Sequence, residues 1–301
     1  MSRMAEAVCF SLAKWRVLRR QPGDAGERSA SFDRRAYQAW RRSELERQFF
    51  GHFSSDDVIG KDVIDFGCGG GELSLMVAEM GARSVFGIEA DPCQFGLALR
   101  NLERSDVLPK PEFIQSKDVQ SINRPSGSTD VILCFDTLEH VMNYKEIISE
   151  WRRILRPGGH VLIWWIPYYH PWGHHVESLV PLPWAHAVFS DRTIISTAAR
   201  IYDMPKFRPR IWDLDDRGRK KANKWLSIQT LPSVNKLTIA EFEKICRALN
   251  FTLVRREYHP ISRSKLARAI SAPLTKVSAS REFFTGVAIY DLQKPVDPPA
   301  R

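Results

Sequence analysis

VIDFGCGGGE, residues Val63 to Glu72, reads as a short apolar strand running into a glycine turn. Leu73 to Met80 follows with amphipathic spacing and reads as a helix opened by that turn. Glycines without a Cβ let a backbone approach a ligand closely, and the first helical N–H groups point into the same space. A second strand, SVFGIEADP, ends in the carboxylate of Glu89, 22 positions after Gly67. That is about where an acid accepts hydrogen bonds from a ribose. Strand, turn, helix, strand and acid together predict a nucleotide site.

The first βαβ unit is therefore Rossmann-like, but a dinucleotide is excluded. Counted from Gly67 and Gly69, the third glycine of G-x-G-x-x-G is Glu72; counted from Gly69 and Gly71, it is Ser74. A carboxylate at Glu72, near where a pyrophosphate would sit, is also of the wrong sign. A cofactor without phosphate and with a cationic centre fits better. The pattern D-x-G-x-G-x-G, Asp65, Gly67, Gly69 and Gly71, resembles motif I of the class I S-adenosylmethionine-dependent methyltransferases, and Glu89 resembles their ribose-binding acid.

Further along, TDVILCFDTLEHV resembles the end of strand four in the small-molecule, quinone-biosynthesis type of these enzymes. YKEIISEWRRILRPGG resembles the helix and turn that follow it there. The resemblance implies an α/β fold: a three-layer Rossmann-like sandwich around a mostly parallel seven-stranded sheet whose last strand is antiparallel. It implies S-adenosyl-L-methionine as cofactor, held by Asp65, Gly67, Cys68, Gly69, Gly71, Glu89, Ala90, Asp118, Val119 and Asp136. Within that set Asp118 takes the adenine amine and the Val119 N–H reaches a ring nitrogen. Read without the resemblance, Asp118 is a turn residue or helix cap.

The 301 residues, 44% of them apolar, suffice for one α/β domain with a sizeable insertion, and no internal repeat is present. Cys9, Cys68, Cys93, Cys134 and Cys246 form no C-x-x-C pair, so reduced thiols in a cytoplasmic protein are expected. No run reaches the roughly 18 apolar residues of a membrane span, and the first twenty residues lack a secretory pattern. The net charge of +9 is unevenly spread. Residues 1–50 carry 11 basic and 6 acidic groups, whereas residues 51–165 carry 11 and 17. Residues 206–224 (8 and 3) and 255–301 (9 and 4) are basic again. The basic flanks are compatible with an anionic substrate, nucleic acid or peripheral membrane contact, and equally with a solvated surface.

Along the chain, residues 1–32 are expected to be a flexible basic segment and 33–60 a lid helix, with Tyr37 and Trp40 on its apolar face. Residues 61–166 form the cofactor-binding core, 167–236 a substrate cap inserted between strands five and six, 237–294 the rest of the core, and 295–301 a tail. In the core, Pro92 to Arg104 reads as a helix, PEFIQSKDV as strand three, Val131 to Phe135 as strand four, and Tyr144 to Leu155 as a helix stopped by Pro157, Gly158 and Gly159. HVLIWWI is then strand five, LTIAEFEKICRALNF a helix stopped at Asn250, TLVRREY strand six and FFTGVAIYDLQK strand seven.

The inserted stretch PYYHPWGHHVESLVPLPWAHAVF begins at the carboxyl end of strand five, over the expected methyl-donor pocket. Methyl transfer to a hydroxyl or thiol needs an ordered, dry site and a base for the acceptor's proton. His140, His170, His174 and His175 are the candidates, with Tyr168 and Tyr169 as positioning groups. A metal on His170, His174, His175 and Glu177 is not adopted: H-x3-H-H-x-E matches no ligand motif, and adjacent histidines point apart on a helix or strand. The expected reaction is methyl transfer to O, S or N of a small or lipid-like acceptor. Nucleic acid is disfavoured, since strand four ends in FDTLEH rather than N/D-P-P-Y/F and no RNA-binding module is appended. A non-catalytic cofactor-binding or membrane-associated protein is the remaining alternative. Oligomeric state is not legible.

Overall fold

The computed structural model describes residues 3–19, 34–116, 121–209, 213–215, 217–228, 231, 234–261 and 264–296. Its sheet is built from β1 (Asp62–Phe66), β2 (Ser84–Glu89), β3 (Glu112–Gln115), β4 (Thr129–Phe135), β5 (Leu155–Trp165), β6 (Thr252–Pro260) and β7 (Thr285–Gln293). The strand order is β3-β2-β1-β4-β5-β7-β6, and β7 alone runs antiparallel to its neighbours β5 and β6. The direction of winding reverses between β1 and β4, and the carboxyl ends of strands on either side open a crevice there.

Alternation along the strands divides the core into two layers, because successive side chains leave opposite faces of a sheet. Ile64, Phe66, Ile132 and Cys134 face α5 (Tyr144–Ile154) and α8 (Ile239–Ala248) in one apolar cluster. Val63, Val131, Leu133 and Phe135 face α2 (Arg34–Phe50) and α3 (Glu72–Glu79) in the other. Burial on both faces is why these strands read as continuous apolar runs. α4 (Pro92–Glu103) completes the β2–β3 crossover, with the Asp91 carboxylate accepting from the Cys93 and Gln94 N–H groups at its start.

The insertion has an apolar centre of its own. Val176, Leu179, Val180, Ile194, Ile195, Ala198, Ile201 and Tyr202 gather around α6 (Ala185–Val188) and α7 (Asp191–Tyr202). Cys9 and Ala13 complete that cluster from α1 (Arg3–Arg19), which corrects the expectation of a flexible segment over residues 3–19. The helix is held by burial of its small residues, by the Arg200 guanidinium 3.6 Å over the Phe10 ring, and by Arg16 donating to the Pro181 carbonyl at 3.0 Å.

Other boundaries also moved. Leu155 is already extended and pairs with Thr129, so α5 stops at Ile154 and Pro157 to Gly159 fall inside β5, where a bulge shifts the register. The β6–β7 connection carries two helices not foreseen, α9 (Lys265–Lys276) and α10 (Ser278–Phe284). Asn250 does end α8, in a left-handed conformation at φ 54°. Among the described residues, no helix is long and apolar enough to cross a membrane.

Candidate active site

A cavity of about 970 Å³ opens at the winding reversal. Its floor is the loop after β1. Gly67, at φ 78°, turns the chain where a Cβ would collide with the Thr137 side chain, and Gly69, at φ 54°, has nothing within 4 Å of a Cβ position. Both demand the left-handed region that glycine enters without steric cost. The loop is closed by N–H donation from Gly67 and Cys68 to the Ile88 carbonyl at 2.9 and 3.0 Å. Gly71, at φ 80°, begins α3 and sits beneath Phe113; it shapes the loop without lining the cavity.

Glu89 stands at the end of β2 with both carboxylate oxygens engaged from one side, accepting from the Gly69 N–H at 2.8 Å and the Asp91 N–H at 2.7 Å. Each oxygen keeps a second lone pair for a ligand hydroxyl. Asp65, 2% exposed, accepts from the Ser74 hydroxyl at 2.6 Å. Burial, reinforced by the nearby carboxylates of Glu89 and Glu72 and opposed by Ser74, pushes Asp65 up to about 7. Glu72 is also raised by burial.

Asp136 follows β4 in a left-handed conformation, φ 50°, that costs a non-glycine residue on the order of 1 kcal/mol. Two donors from α2 hold it there: Arg41 Nη1 at 2.8 Å and Gln48 Nε2 at 3.2 Å from its Oδ2. Burial works against the Arg41 charge, but Asp136 and Glu44 more than offset it, and the guanidinium is raised above its ordinary value. Arg41, Leu45 and Gln48 lie at i, i+4 and i+7 of α2, one face of the helix; that spacing was the available signal for their role, which the sequence reading missed.

Of the candidate residues, Asp65, Gly67, Cys68, Gly69, Glu89, Ala90, Asp136 and His140 line the cavity. Asp118 and Val119 lie outside the described residues. His170, His174, His175, Tyr168 and Tyr169 are absent from the lining, although His175 meets the lining residue His140 edge-on. His174 is a packed core group: its Nδ1 accepts from the Val176 N–H at 3.1 Å and its Nε2 donates to the Leu182 carbonyl at 3.3 Å. Burial drives it down to about 3. The His170 Nδ1 accepts from the Trp172 N–H at 3.2 Å. Tyr168, 5% exposed, is pushed up to about 12 by burial and meets Tyr169 and His186 edge-on. The His175 ring lies 5.0 Å from that of His140, edge-on; burial and then His140 lower it to about 4. The half-buried Trp40 does not line the cavity, and the side chain of Tyr37 is outside the described residues.

The donor set fits S-adenosylmethionine. Among the described residues, the cavity wall carries four carboxyl groups, Asp65, Glu72, Glu89 and Asp136, against the one guanidinium of Arg41. Such a wall repels a pyrophosphate and attracts a cation. Glu89 offers free lone pairs for a ribose, and the open face at Gly69 admits close approach.

Residues 64–163 match the Methyltransferase domain family. Over 107 residues the chain is 40% identical to the ubiquinone biosynthesis O-methyltransferase of Cupriavidus pinatubonensis, a match spanning 35% of this chain and 41% of that protein. The Pseudomonas aeruginosa protein of the same name is 36% identical over 106 residues, spanning 35% and 44%. The match thus covers less than half the length of these curated relatives. The crystal structure of the [4+2]-cyclase SpnF superposes with a TM-score of 0.50 at 15% identity, over 98% of this chain and 96% of that one, a likeness of fold. Residues 64–163 thus resemble a methyltransferase domain, similar over that stretch to the ubiquinone biosynthesis O-methyltransferases, within a seven-stranded Rossmann-like sheet.

Proposed function

We propose that the protein transfers a methyl group from S-adenosylmethionine to a hydroxyl oxygen of a small or lipid-like acceptor. The observation that carries this reading is the acidic cavity with His140 on its wall, at the carboxyl ends of β1, β2 and β4. The naming of its relatives as O-methyltransferases supports oxygen as the acceptor atom. When bound, the cofactor supplies a methyl group already activated on a sulfonium.

The chain's own residues have three tasks. Glu89 and the Gly67–Gly71 loop bind and orient the ribose end, with Asp118 and Val119 assigned to the adenine. The Arg41–Asp136 pair fastens α2 over the cavity and limits water entry, and strengthens electrostatics within. His140 accepts the proton of the acceptor hydroxyl, with neutral His175 set edge-on against its ring. The insertion, including Tyr168 and Tyr169, backs this wall and shapes the acceptor's room. Because the wall is acidic, a neutral hydroxyl such as a phenol is better accommodated than an anionic head.

The test is incubation of purified protein with methyl-labelled cofactor and a cell extract, separated into small-molecule, lipid, nucleic-acid and protein fractions. Label in the first two is expected, and label confined to nucleic acid or protein overturns the proposal. Glu89→Ala is expected to weaken cofactor binding about 10- to 100-fold, the value of charged hydrogen bonds lost. Unchanged affinity by calorimetry would remove Glu89 from the ribose. His140→Ala should leave that affinity intact and lower turnover by about 100-fold or more; full turnover would remove it as the base.

A further inference from the structure

We propose that His52, Glu257 and His259 form a zinc site that clips the end of α2 to the edge of the sheet. Glu257 and His259 alternate by two along β6, so both side chains leave the same face. His52 comes from the turn that ends α2, where its N–H and that of Phe53 both donate to the Phe49 carbonyl, at 3.0 and 2.7 Å. The turn is thereby fixed close to the strand. Glu257 Oε2 lies 3.4 Å from His52 Nδ1 and 2.9 Å from His259 Nε2. One ligand atom from each residue falls within 4.8 Å of both others. None of the three lines the cavity described above.

Two imidazoles and a carboxylate are a donor set that zinc favours. Zinc bonds of about 2.0–2.2 Å at tetrahedral angles place neighbouring ligand atoms roughly 3.3–3.5 Å apart. The 3.4 Å separation already meets this, and the 2.9 Å one needs only a small opening as a hydrogen bond gives way to coordination. The side chains of Glu257 and His259 remain 41% and 43% exposed against 17% for His52, so a fourth position faces solvent and can take water. Arg255 also lies nearby, with Nε 3.8 Å from Glu257 Oε1, its guanidinium over the Phe53 ring and a hydrogen bond to the His52 carbonyl. Its positive charge opposes the ion and holds affinity down. The clip acts on α2, the helix whose Arg41 secures Asp136, so zinc occupancy stiffens the roof of the cavity from a distance.

The experiment is titration of the metal-free full chain with zinc, in competition with a chromophoric chelator. One equivalent is expected, weakened at least about tenfold in His52→Ala, Glu257→Gln and His259→Ala, and tightened several-fold in Arg255→Gln. X-ray absorption at the zinc edge of the loaded wild-type chain should show two imidazoles with oxygen, whatever the variants' folding. Hydrogen exchange of residues 49–54 and 255–260 should slow when zinc is added. Binding unchanged in the histidine variants, a thiolate-bound spectrum, or no stoichiometric binding would each overturn the site.

Discussion

Asp65 is a carboxyl group with almost no exposed surface and one strong donor, the Ser74 hydroxyl. In the folded protein it titrates at about 7, against roughly 3.9 in an unfolded chain. Between those values the native state holds the extra proton. The stability contributed by the raised value is therefore complete below about pH 4 and is lost as the pH rises through about 7. Compared with Asp65→Asn by urea unfolding, the wild-type protein should lose a few kcal/mol of relative stability across that window; a pH-independent difference would show that Asp65 is ionised throughout. Cofactor binding brings a cation into this acidic cavity and should drive the proton off. Calorimetry near pH 7 in buffers of different ionisation heat should detect its release, and Asp65→Asn should abolish it. The motif in the sequence located Asp65, but nothing in D-x-G-x-G-x-G shows that Ser74 would be its hydroxyl donor or that the carboxylates of Glu89 and Glu72 would act on it.

Among the elements, α2 ties distant parts of the chain together. Its apolar residues Leu45 and Phe49 are buried against Phe53 and Phe135, and the same side of the helix delivers Arg41 and Gln48 to Asp136. Arg41→Ala would leave a half-buried carboxylate on strained backbone without its cation. A loss of about 1–3 kcal/mol is expected, with faster hydrogen exchange through residues 38–48. Unchanged exchange would mean that the apolar contacts alone hold the helix. All seven strands and the helices α2, α3, α4, α5 and α8 were legible in the sequence, most plainly where one period holds throughout, as in the two-faced strands β1, β2, β4 and β5. α9 and α10 were not, because Pro273 lies inside α9 and apolar Leu266, Ile270 and Val277 stay exposed, so no buried stripe marks them. α1 was misjudged for a related reason. It buries only the small residues Cys9 and Ala13 while Met4, Val8, Leu12, Trp15 and Leu18 remain on the surface, and the partner that orders it, α7, is far along the chain. The insertion histidines show the same limit, since residue type announced chemistry where three-dimensional packing assigns His174 to a core.

At the scale of the molecule, the two layers against the sheet and the separate apolar centre of the insertion leave four of the five cysteines buried: Cys9, Cys68, Cys134 and Cys246. Burial also raises each of those thiols. Cys93, in the first turn of α4, is exposed. The native protein should therefore give one fast-reacting thiol with a disulfide reagent, absent in Cys93→Ser, and five after denaturation. A second fast thiol that disappears in Cys9→Ser would show α1 leaving its seat in the native state. That seat has a consequence for biosynthesis. Cys9 and Ala13 are made early, but the surface that receives them includes Ile194 to Tyr202. At typical elongation rates of about 5–20 residues per second, the nascent helix waits roughly 10–40 s for its partner. Throughout that interval the buried side of α1 stays uncovered beside Trp15 and Leu12, which are exposed even in the finished fold. The newborn chain thus offers chaperones a hydrophobic handle that is half withdrawn only when the insertion has been synthesised.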